Sequence, residues 1–349
     1  MIEIRPHDVL FFRESRDFTA GQAHVGRSVE PLPHTVAGAI MGALFARGAY
    51  DLLNLEVGNG VKKKPSNGEW RPGFSIEGVF FHDGSSPLFK MPMDIVETEL
   101  GIGELKPYWP LEKEEPAVYA SVQGKRTLRF SPLECFIGKE FLMGYLMGKP
   151  ALEDIDLRRP YLKEERVGIA LNRLKTTVVG MFYRTEFLRL DEKSDKRVRI
   201  AVYLSESDEE KLKAVLGEEG ILKLGGESRF ARFEFEDGEL STPEALEVPA
   251  GGTVRVYLAT PVVGKFEDIK TTLIKKLGNV EFLKLFTGRR LKVTGWDMVE
   301  RKPKPLKYAL SAGTVFWFRA KEDLSLPGKM SVGEMTWAGY GLAFTGVLG

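Results

Sequence analysis

The residues of this chain best suited to acid–base, nucleophilic or metal chemistry are four histidines, His7, His24, His34 and His82, and one cysteine, Cys135. No histidines stand at a metal-ligand spacing such as HExxH. A lone cysteine excludes an intramolecular disulfide and a cysteine-based zinc site, and reads as a small buried hydrophobe. His24 and His34 lie in or beside the glycine-bearing loop RESRDFTAGQAHVGRSVEPLPH. An imidazole there can act as general base in RNA cleavage; the plainer reading is a loop or cap histidine. Carboxylates are abundant but form no DxD-type pair. There is no P-loop and no G-x-S-x-G elbow, and GIGELK lacks the strand and helix of a dinucleotide fingerprint. No cofactor, no metal and no catalytic residue is expected.

A second chemistry is contact with an anionic polymer. RRLKVTGWDMVERKPKPLK, led by Arg289 and Arg290, holds seven Lys or Arg against Asp297 and Glu300, with Trp296 inside it. Cations for phosphates and aromatics for bases suit a single-stranded nucleic acid; a solvated hairpin fits equally well. VQGKRTLRF and RVGIALNRLKTTVVG, the latter with Asn172, Arg173 and Lys175, repeat the theme more weakly. Three glycine elements can hold backbone N–H groups open to phosphate. They are AGQAHVGRS (Gly26, Arg27), LGGESRFAR (Gly225, Gly226, Arg229, Arg232) and WAGYGLAFTG (Gly339, Tyr340, Gly341). Taken singly, each also reads as a turn or bulge.

These residues need a scaffold. The 349 residues suffice for two domains, and 43% hydrophobic with 28% charged residues is globular composition. The net charge of +1 confines nucleic-acid contact to local patches. MIEIRPHDVLFF lacks the features of a signal peptide, so a cytoplasmic protein is expected. Two glutamines and five asparagines beside 99 charged residues suit a thermophile.

IEIRPHDVLFF reads as a strand. Thr35 then caps a helix with Ala37, Ile40, Met41, Leu44 and Phe45 on one face, stopped at Gly48. Residues from about 50 to 165 are turn-rich and read as an insertion, with short strands such as FSIEGVFF and the apolar stretch CFIGKEFLMGYLMG. TTVVGMFYRTEFLRL and VRIAVYL are strands. Ser207 with Glu210 forms a capping box for the next helix, and ILKLGG and ESRFARFEFE give further strand. Strand, helix, strand, strand, helix, strand is the ferredoxin-like order, shared by RNA recognition modules. A second round starts near residue 250: GGTVRVYLATPVV, then a helix carrying Ile269, Leu273, Ile274 and Leu277, then RRLKVTGWDMV, TVFWFRA and the terminal strip. The expected class is therefore α+β, with two domains, 1–245 (ferredoxin-like order, insertion about 50–165) and 246–349. The strip from Met335 to Gly349 has no charge. At 15 residues it is too short to span a membrane, which takes roughly 20. It is either a buried last strand or a loop that admits a ligand to the backbone.

Together, FFRESRDFTAG, PLPHTVAGAIMGAL, VGIALNRLKTTVVGMFYRTEFLRL, LGGESRFARF, ALSAGTVFWF and WAGYGLAFTG resemble the RAMP subunits of CRISPR effector complexes. Within them the similarity is to the third subunit of the Cmr (type III-B) complex, in order from Arg5 to Gly346. The resemblance implies two ferredoxin-like domains and a non-catalytic RNA-binding scaffold in antiviral defence. Such a subunit holds the 5′ tag of the CRISPR RNA. It docks on the large polymerase-like subunit and on the first backbone RAMP subunit. Arg27, Arg173, Lys175, Arg229 and Arg232 then add charge-assisted bonds to phosphates. Tyr340 stacks on a base while Leu342, Phe344 and Val347 pack a last strand. Relatives include endonucleases that mature CRISPR RNA. The alternative is therefore a metal-independent endoribonuclease that processes repeat RNA through His24 or His34.

Overall fold

The structure is a computed structural model; it describes residues 1–13, 25, 26, 28–58, 61–64, 70–110, 116–191 and 197–349. It is mixed α+β, with mostly antiparallel sheets and few helices. The main strands of the first half are β1 (Ile2–Pro6), β2 (Ile76–His82), β3 (Gly101–Tyr108), β4 (Ala117–Val122), β5 (Lys125–Thr127), β6 (Tyr161–Leu171) and β7 (Thr177–Leu190). The second half adds β8 (Arg199–Leu204), β9 (Glu219–Lys223), β10 (Phe230–Phe235), β11 (Thr253–Leu258), β12 (Val280–Phe286), β13 (Val315–Ala320) and β14 (Leu342–Val347). The helices are α1 (Pro33–Ala46), α2 (Lys139–Leu146), α3 (Glu206–Leu216) and α4 (Phe266–Leu277).

Two compact units interleave along the chain. The first is Met1–Ser85, Pro160–Glu239 and Lys292–Leu306; the second is Ser86–Arg159, Leu240–Leu291 and Lys307–Gly349. This partition does not follow a single junction at 245/246. The stretch from about 50 to 165 is not one insertion either. FSIEGVFF supplies β2, an integral strand of the first unit's sheet, and 86–159 packs with the second unit.

In the first unit the sheet order is β2–β8–β1–β10–β9, every neighbour antiparallel. Register puts Ile2, Ile4, Val202, Phe233 and Gly220 on one face. An added Cβ at Gly220 would stand 3.5 Å from the Arg47 guanidinium, so α1 ends over that face. The two α1 boundaries follow different rules. The start is not capped by Thr35: the N-cap is Leu32, without a side-chain bond, and Pro33 sits where a fixed φ and a missing N–H cost nothing. At the other end Gly48, at φ +76°, lets its own N–H reach Phe45 O and the Ala49 N–H reach Leu44 O. The cap of α3 is Ser205 rather than Ser207: Ser205 Oγ accepts the Asp208 N–H at 3.3 Å.

In the second unit the order is β12–β13–β11–β14. Val254, Val256, Leu258, Phe316 and Phe318 form the core with Ile269, Leu273 and Leu277 of α4. The opposite face, which alternation gives to Arg255, Tyr257, Trp317 and Phe344, is also buried. The 86–159 segment covers it. Tyr257 Oη donates to Lys90 O at 2.6 Å, Phe89 meets Phe344 at 6.1 Å, and Gly346 leaves room for Leu146 of α2. That buried face offers no stacking platform for bases. Among the described residues no helix is long and apolar enough to cross a membrane.

Candidate nucleic-acid interface

β6 and β7 form a long hairpin, and its tip is the sequence Asn172–Thr176. Asn172 folds the tip. Its Oδ1 accepts the Leu174 and Thr176 N–H groups at 2.9 and 3.1 Å, and its Nδ2 donates to Thr176 Oγ1 at 2.6 Å. An Asx-type bond of this kind is a common way to hold a turn. Asn172 is thus engaged within the turn. Arg173 and Lys175 stand exposed at the tip, with no carboxylate partner among the described residues. Leu174 between them is 83% exposed.

Lower down, Arg166 and Arg189 of the same hairpin and Arg229, just before β10, converge on Asp8. Arg166 reaches it at 3.1 Å, Arg229 at 3.3 Å and Arg189 at 3.4 Å. Glu164 takes Arg166 on one oxygen at 2.7 Å and Arg189 on the other at 2.6 Å. The Phe187 ring underlies Arg229 at 4.9 Å and Arg166 at 5.3 Å. The hydrogen bond from Arg166 is the main cause holding the Asp8 carboxyl below the usual range; that from Arg189 does the same for Glu164. Three guanidinium groups share two carboxylates; a third, Glu227, comes only within 3.8 Å of Arg229. Arg229 Nε is buried without a hydrogen-bond partner among the described residues. Sequence reading found Arg229 but missed Asp8, Arg166, Arg189 and Phe187. The contacts to Asp8 span 158 to 221 positions, and no local spacing signals them.

Gly225 and Gly226 lie close against Phe11 rather than standing open. The Gly226 N–H donates to Phe11 O at 2.8 Å. A Cβ on Gly225, at φ +81°, would lie 2.6 Å from that same oxygen. Arg232 does not join the cluster: it lies on β10 and pairs with Glu219. The backbone of Gly26 pairs with Thr185 of β7, while Arg27 and His24 fall outside the described residues.

His34 occupies the first turn of α1. Burial, with the Lys304 charge adding to it, holds its imidazole down to about 4, and a hydrogen bond at the Thr294 backbone does not offset them. Burial lowers Lys304 as well. At neutral pH His34 is therefore uncharged and a weak base.

The basic stretch 289–307 is divided. Arg289 and Arg290 are exposed after β12 in the second unit, whereas Lys292–Leu306 belongs to the first. There Asp297, paired with Lys64, accepts the Val299 and Glu300 N–H groups at 3.1 and 3.0 Å and folds a small hairpin. Trp296 and Met298 protrude from it. The terminal glycines pack. Gly341 donates to Pro261 O at 2.9 Å and, at φ +82°, would put a Cβ 2.0 Å from Val332 O. Tyr340 is 1% exposed, so its ring is enclosed rather than presented for stacking. Burial raises the Cys135 thiol to about 11. Among the described residues no three His, Cys, Asp or Glu side chains gather as a metal site.

Residues 2–348 match the family model of the CRISPR-associated protein Cas_Cmr3. Two solved structures share the fold. One is a chain of the type III-B Cmr-beta bound to cognate target RNA and AMPPnP, at 18% identity and TM-score 0.53, covering 90% of this chain and 85% of that one. The other is a chain of Cmr-beta bound to cognate target RNA, at 17% identity and TM-score 0.52, covering 90% and 86%. No curated protein matches. Because the family match runs over essentially the whole length, the chain belongs to the Cas_Cmr3 family of CRISPR-associated proteins.

Proposed function

We propose that the chain is a non-catalytic RNA-binding scaffold subunit of a type III-B effector complex, built on two ferredoxin-like units. It holds the 5′ tag of the CRISPR RNA and docks on the large polymerase-like subunit and the first backbone RAMP subunit. It works in the cytoplasm without a cofactor. The strand orders β2–β8–β1–β10 and β12–β13–β11–β14 support the ferredoxin-like reading. The observation that carries RNA contact is the β6–β7 hairpin. It bears exposed Arg173 and Lys175, without an ion-pair partner among the described residues, at its tip, and Arg166 and Arg189 beside Asp8 lower down. Charge-assisted bonds from arginine favour phosphate, and cations on a projecting ribbon can follow a single strand. The exposed Arg289, Arg290 and Trp296 are further contacts in this reading.

The test is a native and a denaturing gel of the purified protein with labelled tag RNA in EDTA, run with and without the large subunit. A shifted, intact RNA is expected. A cut RNA, lost in His24→Ala or His34→Ala, would replace the scaffold by a processing nuclease.

A further inference from the structure

The second unit carries another row of arginines and aromatics, which runs from the sheet that contains β3, β4 and β5 to Arg319 of β13. Arg126, exposed on the edge strand β5, lies over the Tyr119 ring at 4.6 Å. Tyr119 meets Tyr108 at 6.1 Å. Trp109, next in sequence and 45% exposed, lies under Arg319 of β13 at 4.5 Å. The row thus runs from Arg126 through Tyr119 and Tyr108 to Trp109 and Arg319.

The electrostatics differ from those of the first unit. Around Asp8 every arginine is tied to a carboxylate. Here neither Arg126 nor Arg319 has an ion-pair partner among the described residues. Glu281 stands opposite Arg319 in the β12–β13 register without pairing to it. Residues 117–133 include Lys125, Arg126 and Arg129 and no Asp or Glu. The glutamates of LEKEE (111–115) fall outside the described residues. A guanidinium laid flat on a ring is held in place with its N–H edge outward, which suits a phosphate oxygen. Aromatic edges between two such groups suit bases of an unpaired strand.

We propose that this row is a second RNA-binding surface, which takes unstructured single-stranded RNA through its phosphates without sequence preference. The proposal rests on the reading that the chain handles RNA, and it places a contact on the second unit that the hairpin does not supply.

The test is fluorescence anisotropy of the full chain with a labelled, unstructured RNA of about 20 nucleotides, in two scrambled sequences, over a salt series. R126A/R319A is expected to weaken both sequences alike, by about tenfold, and to flatten the salt slope by about 1.4. K211A/K213A on α3 removes the same charge and is expected to change neither. Arg126 is exposed on an edge strand, so R126A alone keeps the test readable if loss of Arg319 loosens the sheet. It should give about half of the slope change. If wild type binds no RNA, the RNA-holding reading fails and the row falls with it. If wild type binds and R126A/R319A matches it in affinity and slope, the row alone is overturned. If RNA binding is unchanged but assembly with the large subunit is lost, the surface takes an acidic protein instead, and the RNA assignment is also overturned.

Discussion

Arg255 and Asp94, neither of them exposed, meet at 3.6 Å on the face of the second unit's sheet opposite α4. Asp94 also accepts Tyr145 Oη at 2.6 Å and Trp317 Nε1 at 2.9 Å, while Arg255 pairs with Glu104 and donates to Tyr145 O at 3.0 Å. Burial pushes the Asp94 carboxyl up, against the pull of Arg255. Two strands of the second unit are thereby fastened to the 86–159 segment by polar bonds as well as by Phe89 and Leu146.

Asp94→Ala should destabilise the protein by about 3–5 kcal/mol, because it leaves the buried Tyr145 hydroxyl and Trp317 N–H without an acceptor and removes one of the two carboxylates beside a buried guanidinium. A urea titration of wild type and variant, followed by tryptophan fluorescence, measures this. An unchanged midpoint would show that the network contributes nothing net.

His34 predicts a pH dependence. Its folded value is about 4 against an ordinary 6.5, so between those pH values the unfolded chain binds more protons. Stability should therefore fall as pH drops from about 6.5 towards 4, by at most about 3 kcal/mol. Melting temperature across that window should show the slope, and His34→Gln should reduce it. An equal slope in the variant assigns the effect to other groups.

Replacing Arg173 and Lys175 together by alanine should weaken tag RNA binding and lower the salt slope by about 1.4, with the melting temperature unmoved. Both side chains are exposed and neither supports the turn, which Asn172 holds. Binding equal to wild type would remove the hairpin tip from the interface.

Tyr340→Ala should cost about 3–5 kcal/mol, as expected for emptying a buried aromatic site. RNA affinity of the folded Tyr340→Phe protein should equal that of wild type. A drop in affinity at preserved stability would restore a base-contacting role for this ring.

The local grammar of the fold was legible. Helix α4 follows from Ile269, Leu273 and Leu277 at helical spacing, and the end of α1 follows from Gly48. Boundaries set by competition were not. Ser205 and Ser207 are both able caps, and the choice fell to the one whose Oγ reaches the Asp208 N–H. β2 looked like part of an insertion because its partner β8 lies about 120 residues away, beyond any local pattern. Within the candidate site, the exposed cations Arg173 and Lys175 could be read from composition. The environment of Arg229 could not, since Asp8 lies in the bend after β1 and Phe187 on β7, both distant in sequence. The terminal glycines carried two readings in the sequence, and the 2.0 Å approach of Val332 O to a Cβ at Gly341 accounts for that one as packing.

The interleaving of the two units bears on how the chain is made. When residue 239 leaves the ribosome, the first unit still lacks Lys292–Leu306, and the second has only Ser86–Arg159. Neither can close until more than 60 further residues emerge, since Glu239 and Lys302 of the small Trp296 hairpin lie that far apart. Synthesis at roughly 5–20 residues per second leaves Phe89, Tyr145 and Leu146 waiting for several seconds for the sheet that buries them. Such a nascent chain needs a chaperone or a fast second half, and a cut at any of the three inner junctions, after Arg159, Glu239 or Leu291, would leave both units incomplete.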